Sequence, residues 1–161
     1  MHPNITEYLR RKQLAIVKSL GFGVHGSVFA VRDKNGDETA VKHSLEREPF
    51  ERELDIYWRL RELGISEVNG FNVPGLIEFD VDLQVLEMTI VTRPFVLDFA
   101  GAYLEFKPQF TPEIWTEWEQ KRRQEYGGRW PIVREILDAF EEMDIYIVDV
   151  HPSNIAFRDE K

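Results

Sequence analysis

Three groups of residues in this chain have the types and spacing to do chemistry on a phosphorylated compound. A run of glycines comes first, a lysine at the end of an apolar segment follows, and an aspartate precedes an asparagine near the end: Gly21, Gly23 and Gly26; Lys42; Asp149 and Asn154. Glycines let backbone amides approach phosphate oxygens because no Cβ intervenes. An ammonium group binds phosphate as a point charge, and carboxylate and amide oxygens are ligands for hard cations. The pattern therefore indicates a phosphate site.

The elements that must position these groups begin with a β-hairpin around the glycines. Strands are predicted over 14–20 and 28–31, on either side of the glycine run. Glycines between two strands, rather than between a strand and a helix, disfavour a Rossmann dinucleotide site. A simple glycine-rich hairpin bend without a ligand stays open as the alternative.

Three more strands and one helix are predicted in the first half of the chain. The Asn35-Gly36 pair predicts a hairpin turn with two residues at positive φ. A helix is expected between Pro49 and Gly64, because apolar residues recur there at helical spacing. The strands are predicted over 39–43, 76–81 and 85–91, and a linker over 92–94 follows them.

The second half of the chain is predicted to be mainly helical. Thr111, Pro112 and Glu113 suit a helix start, with a hydroxyl cap, a proline in the first turn and an acid behind it. A second helix is expected over 132–143, where apolar residues make one stripe. A short strand over 145–148 then delivers Asp149 to a loop, and one more strand is expected over 154–157.

In this order, the three groups resemble the phosphate-handling parts of the protein kinase fold. The segments read Gly21-Phe-Gly23-Val-His-Gly26-Ser-Val28, Ala40-Val41-Lys42 and Asp149-Val-His151-Pro152-Ser-Asn154. Protein kinases usually have His-Arg where this chain has Ile147-Val148, and the His151-Pro152 pair resembles the aminoglycoside phosphotransferases and the atypical kinases. The resemblance implies an α+β fold. Residues 1–92 would form an N-lobe with a five-stranded antiparallel sheet and one helix, and residues 93–161 a reduced, mainly helical C-lobe.

The resemblance also implies ATP as the nucleotide and Mg²⁺ as the metal. Lys42 is expected to hold the α- and β-phosphates and to be held by a helix carboxylate, with Glu53 favoured over Glu51. The glycine loop is expected to cover the phosphates. The other implied contacts are Val28 over the adenine, Met88 at the rear of its pocket, Val91 in the linker and Asp98 at the ribose, with a helix N-cap as the alternative for Asp98.

Asp149 and Asn154 resemble the kinase catalytic loop, in which the aspartate orients the acceptor hydroxyl and the asparagine binds metal. Together with Lys42, Asp149 is the expected catalytic residue. The chain ends at Lys161 with no Asp-Phe-Gly segment after Asn154, so the second metal-binding carboxylate is expected to be missing. Either Asp149 itself or Asp159 is expected to replace it. For Asp149, the alternative that stays open is a loop aspartate that only caps a turn.

Composition excludes several classes of protein. The chain has 161 residues, a formal charge of −9, 43% hydrophobic residues and no cysteine, which together predict one folded domain without disulfides. The negative charge argues against a general nucleic-acid binder. No segment has the length and apolar content of a signal peptide or a membrane span, so the expected location is the cytoplasm.

Two functions are compatible with these residues. The favoured one is a minimal phosphotransferase that moves the γ-phosphoryl group of ATP to a hydroxyl of an unknown acceptor, either a protein or the chain itself. The alternative is a pseudokinase that binds nucleotide or a partner without catalysis. A protein partner or self-association is expected to complete the reduced C-lobe, since Phe106, Trp115 and Trp118 have no evident cover.

Overall fold

The protein combines helices with long and short strands. The structure, a computed structural model, describes residues 1–23 and 25–159. The helices are α1 (Pro3–Lys12), α2 (Arg47–Glu62), α3 (Pro112–Tyr126) and α4 (Trp130–Glu141), with a 3₁₀ turn at Gly127–Arg129. The strands are β1 (Ala15–Gly23), β2 (Gly26–Arg32), β3 (Glu38–Ser44), β4 (Glu67–Val68), β5 (Phe71–Asn72), β6 (Leu76–Asp80), β7 (Val85–Met88), β8 (Phe95–Val96), β9 (Ala102–Leu104), β10 (Ile145–Ile147) and β11 (Ile155–Ala156).

Five strands form one sheet in the order β1-β2-β3-β7-β6, with each strand antiparallel to its neighbours. The predicted α+β class and the five-stranded antiparallel sheet are therefore confirmed. Helix α2 begins at Arg47, slightly before the predicted start at Pro49. Its buried residues, Phe50 and Ile56 among them, share one apolar core with Leu86 of β7.

The turn between β2 and β3 differs from the prediction made for Asn35-Gly36. Gly36 has a φ of 90°, whereas Asn35 is not in the positive-φ region. The Asp33 carboxylate accepts hydrogen bonds from the backbone N–H groups of Asn35 (2.8 Å) and Asp37 (3.0 Å). The prediction of two positive-φ residues is therefore wrong, because the Asp33 side chain closes a longer loop.

Helix α1 is an element that the sequence analysis does not assign. His2 caps it through Nδ1, which accepts a hydrogen bond from the backbone N–H of Asn4 (3.2 Å), and Pro3 occupies the first turn. The helix packs on the sheet and forms a second apolar cluster: Ile5, Tyr8 and Leu9 with Val31, Val41 and Val85. The N-terminal half thus contains two helices rather than the expected one, and the i, i+3, i+4 spacing of Ile5, Tyr8 and Leu9 was the available signal.

The two predicted helices of the second half are present. Helix α3 begins as expected after Thr111, whose hydroxyl oxygen accepts a hydrogen bond from the backbone N–H of Ile114 (3.3 Å). Helix α4 starts at Trp130 and buries Val133 and Phe140, whereas Ile132, expected in the apolar stripe, is exposed. None of the described helices is both long and apolar enough to cross a membrane.

Short strands connect the two halves of the chain. β8 and β11 pair antiparallel, with Val96 opposite Ile155, and β5 and β4 extend this small sheet. In an antiparallel pair, the residues after one strand lie beside those before the other, so the segment after β8 meets the segment before β11. The main apolar core contains residues of both halves, and the division into lobes at 1–92 and 93–161 stays a prediction.

Candidate functional site

A cavity of about 650 Å³ opens beside the glycine loop, within the range typical of ligand pockets. Its lining brings together most of the residues that the sequence analysis proposed: Gly21, Gly23, Gly26, Val28, Lys42, Glu53, Met88, Val91, Asp98 and Asn154. Asp149 and Asp159 are not among the residues that line it. The cavity therefore collects the expected nucleotide contacts, while the two aspartates lie elsewhere.

The glycine loop is the tight end of the β1–β2 hairpin, where Gly23 lies opposite Gly26. A Cβ on Gly26 would lie 1.9 Å from the carbonyl oxygen of His43, and the φ of Gly26 is 153°. By contrast, apart from the adjacent residues in the chain, no described atom lies within 4 Å of an added Cβ at Gly21 or Gly23. Gly26 is thus required by the approach of β2 to β3, and the backbone around Gly21 and Gly23 is open to a ligand.

Lys42 on β3 and Glu53 on α2 form an ion pair at the inner end of the cavity. The Lys42 Nζ lies 2.9 Å from Oε1 and 2.8 Å from Oε2 of Glu53, and both side chains are largely buried. The competing carboxylate, Glu51, is paired with Arg47 at 2.7 Å and is exposed. The structure thus brings Lys42 together with Glu53 and leaves Glu51 on the surface.

Burial and neighbouring charges have opposing effects on the pKa values of this pair. Burial alone lowers the pKa of Lys42, but the neighbouring carboxylates of Glu53 and Asp98 outweigh it and raise that pKa. For Glu53, burial raises the pKa by more than the Lys42 charge lowers it. The ammonium group is therefore held in its charged form, ready to bind an anion.

Asp98, which was expected either at the ribose or as a helix N-cap, lines the cavity beside Lys42. Its Oδ1 lies 3.3 Å from the Lys42 Nζ, and its carbonyl oxygen accepts a hydrogen bond from the Asn154 side chain (3.4 Å). It lies in the turn after β8 with a φ of 67°, and none of the described helices begins there. The helix N-cap alternative is therefore wrong. The β8–β11 pairing explains why Asp98 and Asn154 meet.

Two residues that follow Asp98, Phe99 and Gly101, connect it to the core and to Asp149. Phe99 is fully buried between the rings of Tyr57 (5.2 Å between centroids) and Phe140 (5.5 Å), and its backbone acts to lower the pKa of Glu53. A Cβ on Gly101 would lie 2.3 Å from the Cβ of Asp149. The Asp98-Phe99 dipeptide, which begins two residues after β8, was the signal in the sequence for this segment.

Asp149 lies in the loop after β10 and is half-exposed. The His151 Nε2 lies 2.6 Å from its Oδ1, and its backbone N–H points to the carbonyl oxygen of Gly101 at 3.5 Å. Asp149 therefore contacts the segment that begins with Asp98, and Asp98 in turn contacts Lys42. His151 is thus the polar partner of the Asp149 carboxylate.

Asn154 and Asp159, the other two expected metal ligands, are in different surroundings. Asn154 precedes β11 and lines the cavity, and its backbone carbonyl oxygen accepts a hydrogen bond from the N–H of Leu97 (2.8 Å). Asp159 forms an ion pair with Arg129, whose Nη2 lies 2.9 Å from its Oδ1 and 2.8 Å from its Oδ2. Within residues 1–23 and 25–159, no three His, Cys, Asp or Glu side chains form a cluster that could hold a metal. A metal ion in this cavity would therefore also need the amide oxygen of a side chain or an oxygen atom of a bound ligand.

The apolar end of the cavity lies at Met88 and the segment after β7. Met88 is buried opposite Ala40 of the sheet, and Val91 lies on the cavity wall. The backbone N–H of Thr89 is engaged by the carbonyl oxygen of Gly75 (2.9 Å). The residues expected to contact adenine, Val28, Met88 and Val91, therefore line the same cavity.

Comparisons with known proteins give partial structural likenesses. No family model and no curated protein matches this chain. The streptomycin–ATP ternary complex of APH(2″)-IIa is 16% identical, with a TM-score of 0.40, and the match covers 57% of this chain and 29% of that one. The ADP/Mg²⁺-phosphoaspartate complex of the Rio2 kinase from Chaetomium thermophilum is 14% identical, with a TM-score of 0.38, covering 76% of this chain and 39% of that one. The chain thus spans well under half the length of either structure.

Proposed function

We propose that this protein binds ATP with Mg²⁺ and transfers the γ-phosphoryl group to an acceptor hydroxyl. The proposal is carried by one observation: the glycine loop, the Lys42 ammonium, the Asp98 carboxylate and the Asn154 carboxamide converge on one cavity. Phosphoryl transfer depends mainly on positioning and on electrostatic stabilisation. These groups supply backbone amides, a cation and metal-binding oxygens for both purposes.

The adenine ring is assigned to the apolar end of the cavity. The side chains available to sandwich a flat ring are Val28, Ala40, Met88, Val91 and Phe95. The triphosphate then extends toward Lys42 beneath the glycine loop, where Gly21 and Gly23 leave the backbone accessible. This placement buries the apolar base and leaves the anionic groups at the charged end.

The magnesium ion is assigned to Asp98 and Asn154. Mg²⁺ usually takes one or two carboxylates together with phosphate oxygens and waters, and this donor set fits that habit. When bound, the ion neutralises charge on the phosphates. Asp98 would therefore supply the carboxylate that was expected from Asp149 or Asp159, and Asp149 stays available for the acceptor.

Asp149 is assigned as the group that accepts the proton of the acceptor hydroxyl. The acceptor oxygen forms a bond to the γ-phosphorus, the bond from that phosphorus to the β–γ bridging oxygen breaks, and ADP leaves. The proton of the hydroxyl passes to Asp149. Because His151 engages Oδ1 of the carboxylate, Oδ2 is the oxygen that receives it.

One observation favours the alternative, a nucleotide-binding pseudokinase. Asp149 does not line the cavity and its carboxylate is already engaged by His151. A protein of this kind would bind ATP with the same residues and transfer nothing. Binding and turnover therefore have to be measured separately.

A partner protein or a second copy is the proposed cover for exposed apolar side chains of the second half. Phe106 is 78% exposed and Ile114 is 47% exposed. Trp118, by contrast, packs against the main core, and Trp115 contacts Trp118. The need for a partner is thus smaller than the sequence suggests. A monomer mass in light scattering at high protein concentration would rule out self-association.

The test of phosphoryl transfer is the substitution Asp149→Ala. With ATP and Mg²⁺, the wild type is expected to release or transfer phosphate. The rate of the variant should be lower by at least about 100-fold, which is within the range for loss of a general base. ATP binding, followed by the shift in melting temperature, is expected to persist in the variant. Equal turnover in the two proteins refutes the role of Asp149. Binding without turnover in the wild type establishes the pseudokinase.

A further inference from the structure

We propose that Trp118 and Arg122 are positioning residues that fix the loop carrying Asp149. They lie on α3, and no part of the proposed nucleotide site requires them. The inference rests on the proposed function, because it assigns Asp149 the acceptor proton. It deepens that function by identifying what holds the carboxylate in place.

Both side chains donate hydrogen bonds to carbonyl groups that flank Asp149. The Trp118 indole Nε1–H donates to the carbonyl oxygen of Val148 (2.8 Å), and an Arg122 Nη1–H donates to that of Val150 (3.1 Å). Trp118 and Arg122 are four residues apart and so share one face of the helix. Helix α3 is therefore hydrogen-bonded to the loop on both sides of Asp149.

The two contacts act on different parts of the Asp149 geometry. The Val148 carbonyl belongs to the planar peptide unit that contains the N–H of Asp149, and this N–H points to Gly101. The Val150 carbonyl belongs to the peptide unit that leads into His151, whose Nε2 contacts the Asp149 carboxylate at 2.6 Å. Trp118 thus fixes the backbone of Asp149, and Arg122 fixes the residue that holds its side chain.

The burial of Arg122 is a second reason to assign it a role. Its side chain is only 8% exposed, and Glu125 is its ionic partner at 3.1 Å. The guanidinium group lies 5.9 Å from the centre of the Trp118 ring, so the two residues support each other. Among the described residues, its Nε has no hydrogen-bonding partner. Burying a charged group with one donor unsatisfied is costly, so packing alone does not account for this arginine.

The substitution Trp118→Phe removes the indole N–H while keeping an aromatic ring in the core. With ATP and Mg²⁺, we expect kcat to fall by about 10- to 100-fold, the cost of a small misplacement of a catalytic group, while the KM for ATP stays within about twofold. In an Asp149→Ala background, the same substitution should cause no further loss, because its effect passes through Asp149.

The matched control is Trp115→Phe, on the same helix. Its indole N–H has no hydrogen-bonding partner among the described residues, so both kcat and KM should stay at wild-type values. A second variant, Arg122→Lys, keeps the charge but loses the reach and geometry of the guanidinium fork. It should lower kcat in the same way as Trp118→Phe. A fall in kcat for Trp115→Phe as large as that for Trp118→Phe overturns the proposal.

Amide hydrogen exchange provides a readout that does not depend on turnover. In the full chain, peptides covering 148–154 should exchange faster in Trp118→Phe than in the wild type or Trp115→Phe, while peptides of β3 keep their wild-type rates. If exchange rises as expected but the wild type transfers no phosphate, the proposed function fails and the anchoring of the loop stands. Unchanged exchange in this loop, or wild-type kcat in an active Trp118→Phe enzyme, overturns the inference.

Discussion

At the scale of single residues, Asp98 links the cation and the metal-binding parts of the site. Its carboxylate contacts Lys42, and its carbonyl contacts Asn154. Its neighbour along the chain, Phe99, is locked between two rings. The position of Asp98 is therefore defined from three sides.

We expect Asp98→Asn to reduce the benefit of Mg²⁺ for ATP binding. The variant keeps the size of the side chain but removes the charge that a metal prefers. The ratio of the ATP dissociation constants measured without and with Mg²⁺ should fall by at least about tenfold, or ~1.4 kcal/mol. Asp159→Asn is the control, because Asp159 is paired with Arg129, and its ratio should match the wild type. An unchanged ratio in Asp98→Asn refutes the metal assignment.

Gly26 and Gly23 should respond differently to substitution by alanine. An added Cβ at Gly26 would collide with the His43 carbonyl oxygen, whereas Gly23 has open space around it. Gly26→Ala is therefore expected to cost about 2–4 kcal/mol of unfolding free energy, and Gly23→Ala within about 0.5 kcal/mol. Urea denaturation of both variants measures this difference. Equal unfolding free energies of the two variants would show that β2 does not pack closely against β3 at Gly26.

At the scale of elements, the sequence predicts the helices and strands that have a periodic apolar pattern or a local end signal. The five sheet strands and helices α2 to α4 follow from apolar spacing and end signals such as Thr111. The meeting of Asp98 with Asn154 depends on the pairing of two-residue strands far apart in the chain, which no local pattern encodes. The pairing of Lys42 with Glu53 was predicted from the resemblance to the kinase helix pattern, and the helix that carries Glu53 was predicted from apolar spacing.

Contact between the N-terminus and β3 is expected to make stability depend on pH. The ring of His43 is buried and stacks on that of His2, with 4.2 Å between centroids. Burial, assisted by the His2 charge, lowers the pKa of His43 to about 4, against about 6.5 in an unfolded chain. Between these values the unfolded chain binds the proton more readily, so stability is full above pH 6.5 and falls toward pH 4.

The measurement compares the wild type with His43→Asn at pH 7 and pH 4.5. The variant should lose about 1–3 kcal/mol less unfolding free energy than the wild type on acidification. His25→Asn is the control, because His25 is exposed, and it should follow the wild-type curve. Parallel curves for His43→Asn and the wild type would exclude His43 as a source of the pH dependence.

At the scale of the whole molecule, the site depends on contacts between the two halves of the chain. β1 to β3 and α2 provide the glycine loop, Lys42 and Glu53, and the second half provides Asp98 and Asn154. The β8–β11 pair and the shared apolar core hold these parts together. Nucleotide binding is therefore expected to stabilise the protein as one unit.

The most direct test of the central claim is a calorimetric titration with ATP and Mg²⁺. Since Lys42→Ala alone would leave Glu53 buried and unpaired, the variant is the double substitution Lys42→Met, Glu53→Gln, and the control is Lys34→Ala in the exposed β2–β3 turn. The wild type and the control are expected to bind ATP saturably with equal dissociation constants, and the double variant at least about tenfold more weakly. No saturable binding by the wild type at millimolar ATP, or equal binding by the double variant, would contradict the assignment of this cavity to a nucleotide.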